Sequence, residues 1–225
     1  MSEHPVRFVV TDDLRRSRLT VFFRLLLALP HFVWISIWTY AMFVVIAFQW
    51  LWVIGAGHME EDVHRYFGRY VRYHVHLHAY LLLLANPWPI PNGREGYPID
   101  MELGPAERQN RLTVIFRLIL VIPAYVFMVV LNTVLYVIGF LGWFASLVLG
   151  RMPRGMRDLG AYCLRYQTQT FAYLLLLTPR YPSLAGSTPQ EPAVEQPPDE
   201  QPQVERPSFE PPPVEQPPVE QPPEP

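Results

Sequence analysis

Apolar residues run almost uninterrupted through two long stretches of this chain. Between Arg24 and Glu60 no side chain carries a formal charge, and Leu25 to Gly57 is apolar apart from His31, Ser36, Thr39 and Gln49. A hydrocarbon core of roughly 30 Å takes about 20 helical residues, so Phe32 to Ile54 is long enough to cross. Trp34 and Trp38 stand near one end and Trp50 and Trp52 near the other. About 16 intervening residues rise roughly 24 Å, the spacing of two interfacial aromatic belts. Tyr125 to Leu149 repeats the arrangement, with Tyr125 and Phe127 at one end and Trp143 and Phe144 at the other. A buried helix pair in a soluble protein explains such long uncharged runs poorly. The run begins after Arg24 and lacks a small-residue cleavage site, so the first span is expected to remain as an uncleaved anchor.

The shorter patterns fall around these spans. Arg18 to Leu29 and Arg111 to Ile122 read as short helices ending at Pro30 and Pro123. Proline cannot donate a backbone hydrogen bond and disfavours helix in the preceding residue, so a kink or break is expected at each. After each span comes an amphipathic segment, residues 61–86 and 154–178. In the first, Arg65, Arg69, Arg72 and His76 share one face of a helical wheel, opposite Val63, Tyr66, Phe67, Tyr70, Leu77 and Leu81. Ahead of each unit, Val6, Phe8 and Val10 alternate with Arg7 and Val9, and Ile99, Met101 and Leu103 with Asp100 and Glu102. These alternations predict two short strands that pair in a small water-exposed sheet.

The matching of elements is no coincidence, because residues 4–89 align with residues 97–182 at a constant offset of 93, without a gap. Arg18-Leu19-Thr20-Val21 recurs as Arg111-Leu112-Thr113-Val114, Pro30 as Pro123, and Ala79-Tyr80-Leu81-Leu82-Leu83-Leu84 as Ala172-Tyr173-Leu174-Leu175-Leu176-Leu177. Roughly 25 of the 86 aligned positions are identical. The expected organisation is a first membrane repeat (1–89), a linker (90–96), a second repeat (97–182), and a disordered Pro-rich tail (183–225). The fold class is all-α integral membrane protein, built of tandem duplicated helical units with short β-strands before each.

The amphipathic element leaves the topology open. If it lies along the headgroups, each unit crosses once, the units are inverted, and one of the Arg-rich entries, at residues 15–18 or 108–111, is left outside against the positive-inside tendency. If it crosses, the repeats are parallel, at a cost of about 2.5–3.5 kcal/mol for a central Arg. The balance favours four crossings in a multi-pass cell-membrane protein with both termini cytoplasmic.

Charge divides the chain in a way its near-neutral mean hydropathy of +0.10 conceals. Residues 1–182 carry net +6 and the tail net −8, which together make the overall −2. All 18 basic residues are Arg, as a GC-rich genome would give. The tail, rich in Pro, Glu and Gln, cannot build a core. It reads as a spacer, or as a docking segment for a Pro-recognising or basic partner. Membrane lipids are the other expected partner, and nucleic acid is not one.

Candidate chemistry is thin. His74, His76 and His78 resemble a metal site, yet on a helix His76 points away from the other two. Their counterparts are Gln167, Gln169 and Phe171, which keep no ligand. They are read as polar or pH-responsive residues, with no metal and no cofactor expected. Glu60, Glu61 and Asp62 favour a helix start, and their counterparts Pro153, Arg154 and Gly155 keep no acid. Cys163 has no second thiol. No matched nucleophile and base recur, so an enzyme is not expected. The repeated arginines Arg18 and Arg111, Arg24 and Arg117, and Arg72 and Arg165 are the candidates for contact with lipid or a partner. Snorkelling to headgroup phosphates is the structural alternative for Arg24 and Arg117.

On Arg18-Leu19-Thr20, Pro30, Gly57, Ala79 to Leu84 and the closing Arg180-Tyr181-Pro182, each half resembles the bacterial membrane family called domain of unknown function 4389. The resemblance covers nearly all of residues 4–182 and none of the tail; Ala85-Asn86-Pro87-Trp88-Pro89 departs from the family's ending. It implies a bacterial inner-membrane location and no reaction or ligand. The expected function is a non-catalytic scaffold or accessory subunit with a partner-docking tail. The alternative is a small transporter, channel or anionic-lipid-handling protein with Arg72, Arg165 and the histidines in a polar interior.

Overall fold

A computed structural model describes residues 5–91 and 96–185. Of the tail expected to be disordered, 183–225, residues 186–225 lie outside the described residues, whereas Ser183 and Ala185 are hydrogen-bonded to Gln169 and Arg165. The chain is mostly helical. Strand β1 (Val6–Val10) leads into α1 (Arg18–Phe22), α2 (Arg24–Ala56) and α3 (Glu61–Leu81); β2 (Ile99–Leu103), α4 (Arg111–Ile115), α5 (Arg117–Leu149) and α6 (Arg154–Leu174) repeat the order. α2 and α5 are long and apolar enough to cross a membrane by length and composition.

Local chemistry accounts for the boundaries. α2 and α5 end on Gly57 and Gly150 in the left-handed conformation, φ 78° and 68°, which glycine adopts without a Cβ penalty. The break expected at Pro30 and Pro123 is not there: both prolines lie inside continuous helices. A proline removes one i→i−4 bond, and a long apolar helix with bonds on either side tolerates that loss. The interruption comes earlier, at Phe23 and Phe116, with φ/ψ of −89°/7° and −88°/2°. α3 and α6 are amphipathic helices as their periodicity predicts.

β1 and β2 pair antiparallel, with Val6 opposite Leu103, Phe8 opposite Met101 and Val10 opposite Ile99. The pairing is the expected one, but the sheet is not simply water-exposed: Val6, Val10, Ile99 and Met101 are buried. The sheet packs on α3 and α6, which pack on each other and, in turn, on α2 and α5.

The repeats are related by an approximate two-fold axis. Phe8 and Met101, its own counterpart, face one another across the sheet. Elsewhere contacts come in reciprocal pairs: Arg16 N–H donates to Gly150 O (3.0 Å) and Gln109 N–H to Gly57 O (2.9 Å). α1 packs on α5 and α4 on α2. The start of each long helix thus meets the end of the other, so α2 and α5 run antiparallel. The parallel repeats expected for four crossings are therefore corrected. Their two Arg-rich entries sit at opposite ends of the antiparallel pair.

The halves are not equally tight. Gly139 and Gly142 stand where the first repeat has Ile46 and Gln49, and Gly160 where it has Phe67. A Cβ on Gly139 would lie 2.6 Å from Leu82 Cδ2, and one on Gly160 2.5 Å from Leu84 Cδ2. The turn that follows α3 is wedged into the second repeat at Gly139 and Gly160.

Candidate functional site

Each long helix opens with an arginine turned inward. Arg24 and Arg117 are 2% and 0% exposed. Arg24 Nη2 donates to Ala85 O at 2.7 Å, and Arg117 donates through Nη1 to Tyr173 O (2.8 Å) and through Nη2 to Thr178 O (3.3 Å). Their guanidinium carbons lie 4.1 and 4.3 Å from the ring centroids of Tyr80 and Tyr173. A buried charge needs acceptors, and the carbonyls left free at a helix C-terminus supply them, with the ring face adding attraction. Neither side chain reaches outward as snorkelling requires; both clamp the turn that ends the amphipathic helix.

That turn is strained at matching positions. Leu83 and Leu176 have φ of 63° and 62°, where a Cβ is unfavourable. Their carbonyls are held from the strand side: Arg16 donates to Leu83 O through Nε (3.2 Å) and Nη2 (2.9 Å), and the Gln109 amide to Leu176 O. Arg16 is in turn paired with Asp12, at 2.5 Å, both buried. Sequence reading missed Asp12, Arg16 and Gln109. The usable signal was two polar residues at the same repeat position, immediately before the Arg-Leu-Thr motifs.

Between α3 and the sheet lies a second polar cluster. Arg72 donates to Met101 O through Nε and Nη2 (3.2 and 3.0 Å), and its Nε stands 3.3 Å from Asp100 Oδ1. His76 Nε2 lies 3.0 Å from the same carboxylate oxygen, and its ring stacks on Tyr97 at 4.3 Å. Asp100 Oδ2 accepts from Gly96 N–H at 3.1 Å. Burial raises the Tyr97 phenol above its ordinary range. In the second repeat Arg165 donates to Ala185 O (3.5 Å) and Gln169 Oε1 accepts from Ser183 N–H (3.1 Å). One repeat thus builds an ion-paired cluster, and the other, with Arg165 on a backbone carbonyl and the Tyr162 ring, ties down residues 183–185.

His74 and His78 are elsewhere, stacked at 4.0 Å and edged by Phe171. Loss of hydration lowers both, His74 furthest because His78 adds like-charge repulsion. The structure separates them from His76, as helical geometry requires. Among the described residues no group of three His, Cys, Asp or Glu side chains is placed to hold a metal ion. Of the remaining candidates, Arg18 is exposed and donates to Val148 O at 3.0 Å. Arg111 is exposed beside Gly57 at the opposite end of the helix pair.

An apolar cavity of about 300 Å³ opens between α2 and the ends of α5 and α6, lined among others by Met42, Ile46, Trp50, Leu118 and Phe171. Its two-fold counterpart is filled where Leu82 meets Gly139.

The fold and these clusters define a duplicated helical protein with two membrane-compatible helices and a polar layer that locks the repeats together. The chain belongs to the family described as Domain of unknown function (DUF4389), whose model matches residues 18–92 and again 111–185. No curated protein and no solved structure matches it.

Proposed function

We propose that this protein is a non-catalytic membrane scaffold or accessory subunit, held in a bacterial inner membrane by α2 and α5, with residues 186–225 offered to a partner. The observation that carries the reading is the row of exposed apolar side chains along both long helices. Leu25, Leu29, Val33, Ile37, Tyr40, Val44, Phe48 and Leu51 on α2 are each at least half exposed, and Leu118, Ile122, Val126, Val130, Val137, Phe140 and Val148 on α5 continue the pattern. Apolar faces of this extent are not left in water. The charged clusters support a scaffold in another way: Arg16, Arg24, Arg72 and Arg117 each donate to backbone carbonyls within the chain. Polar chemistry is used to lock repeats together. The test compares the full chain with a form ending at residue 185. Both remain in the membrane fraction, and a stoichiometric partner co-purifies only with the former; equal recovery with both, or with neither, removes the docking role.

A second reading, handling of lipid, is favoured by the one-sided apolar cavity beside α2. Native mass spectrometry from nanodiscs checks it: retained phospholipid that is lost in Ile46→Gly together with Trp50→Ala supports it.

A further inference from the structure

We infer that α2 and α5 do not cross the bilayer but lie within a single leaflet, with the β1–β2 sheet on the water side. This rests on the membrane reading above and adds the geometry of the embedding.

The two-fold axis passes through the Phe8–Met101 pair. The reciprocal contacts of Arg16 with Gly150 and of Gln109 with Gly57 place it midway along the antiparallel α2 and α5. The sheet therefore sits at the mid-length of the apolar helices. A direct contact agrees, since Arg72, halfway along α3, donates to the carbonyl of Met101 on the axis.

A two-fold object meets a bilayer symmetrically in two ways. With the axis in the membrane plane, α2 and α5 stand upright in opposite senses, and the sheet falls at the bilayer centre. There the half-exposed Arg7–Glu102 pair would face hydrocarbon. With the axis along the membrane normal, the symmetry-related ends share a depth, and because each start meets the other helix's end, all four ends lie at one level. Both long helices then lie along the membrane, their apolar faces in acyl chains and the sheet in water.

Length and charge agree with the second arrangement. Each helix has 33 residues, about 50 Å at 1.5 Å per residue, against a hydrocarbon core of roughly 30 Å. Exposed apolar side chains run the whole length, from Leu19 to Trp52 and from Leu112 to Leu149, rather than over a central band. Arg15 and Arg151 pair at one end of the slab and Arg108 and Arg111 stand at the other, all exposed, where one layer of headgroup phosphates meets both ends.

The test is the sidedness of four helix-end positions. Ser17→Cys, Glu60→Cys, Asn110→Cys and Arg154→Cys are made singly in a full-length Cys163→Ser chain. Each is labelled with a membrane-impermeant maleimide in right-side-out and in inverted membrane vesicles. The expected result is that all four react from one side only, at least tenfold over the other. Residues 17 and 154 reacting from one side and 60 and 110 from the other, or 17 and 110 opposite 60 and 154, overturns the inference while leaving a membrane protein. Recovery of the chain in the detergent-free supernatant overturns both readings. Trypsin on sealed vesicles of the unaltered protein is the control against misfolding: Arg15 and Arg108 are cut from the same side, and cutting from opposite sides overturns the inference.

Discussion

Phe8 lies opposite Met101 in the β1–β2 ribbon, and the two occupy the same position of the two repeats, 93 residues apart. A residue that pairs with its own duplicate marks a symmetry axis. Here it converts a tandem duplication into a two-fold object in which α1 touches α5 and α4 touches α2. Four expectations about stability and depth follow from the contacts around that axis.

Arg117 is fully enclosed, and its removal takes the side-chain donor from Thr178 O and leaves Tyr173 O with only the Leu176 N–H. Arg117→Ala is expected to cost about 1–3 kcal/mol, the penalty for buried unsatisfied acceptors. Exposed Arg111→Ala should change stability by less than about 0.5 kcal/mol. Thermal unfolding in one detergent separates the two, and equal losses would remove the capping role.

Gly160 and Gly139 permit close approach of Leu84 and Leu82, with no room for a Cβ. Gly160→Ala and Gly139→Ala are expected to destabilise by about 1–3 kcal/mol through overpacking. Gly155→Ala, with nothing within 4 Å, should be neutral or slightly stabilising by helix propensity. Chemical denaturation of the three variants measures the contrast.

His74 and His78 titrate lower in the folded protein than in the unfolded chain, because desolvation opposes their protonation. The unfolded state therefore binds more protons as pH falls below about 6.5. The folded protein is expected to keep its full stability above that pH and to lose stability progressively on acidification below it. His74→Gln with His78→Phe, the residues of the second repeat, should flatten the dependence between pH 7.5 and 5. An unchanged slope would place the acid sensitivity elsewhere.

Depth along α2 separates a helix lying in a leaflet from one that crosses. Spin labels at Leu29, Tyr40 and Leu51, all exposed, are expected at similar distances from the headgroups. A crossing helix would carry the middle label to the bilayer centre, more than 10 Å deeper than its flanks by helical rise. Power-saturation measurements against oxygen and a water-soluble relaxant read this directly.

The order of elements was legible in the sequence because each rests on a local signal. Unbroken apolar runs specify α2 and α5, and the Arg65-Arg69-Arg72-His76 face specifies α3. Alternation specifies β1 and β2, and the offset of 93 indicates that they are equivalent and that they pair. The separation of His76 from His74 and His78 followed from helical geometry alone.

Tertiary structure decided the rest. Periodicity shows which side of a helix is apolar, but not the direction in which a second copy lies beside it. The antiparallel arrangement appears only where Arg16 meets Gly150 and Gln109 meets Gly57. An arginine at the head of an apolar helix looks the same in sequence whether it reaches for phosphate or turns inward. Arg24 and Arg117 turn inward because the strained turns at Leu83 and Leu176 bring free carbonyls within their reach. Pro30 and Pro123 stay helical because the surrounding bonds outweigh one missing donor. Composition fixed what each segment prefers to touch; only the paired strands fixed which end of one repeat the other would meet.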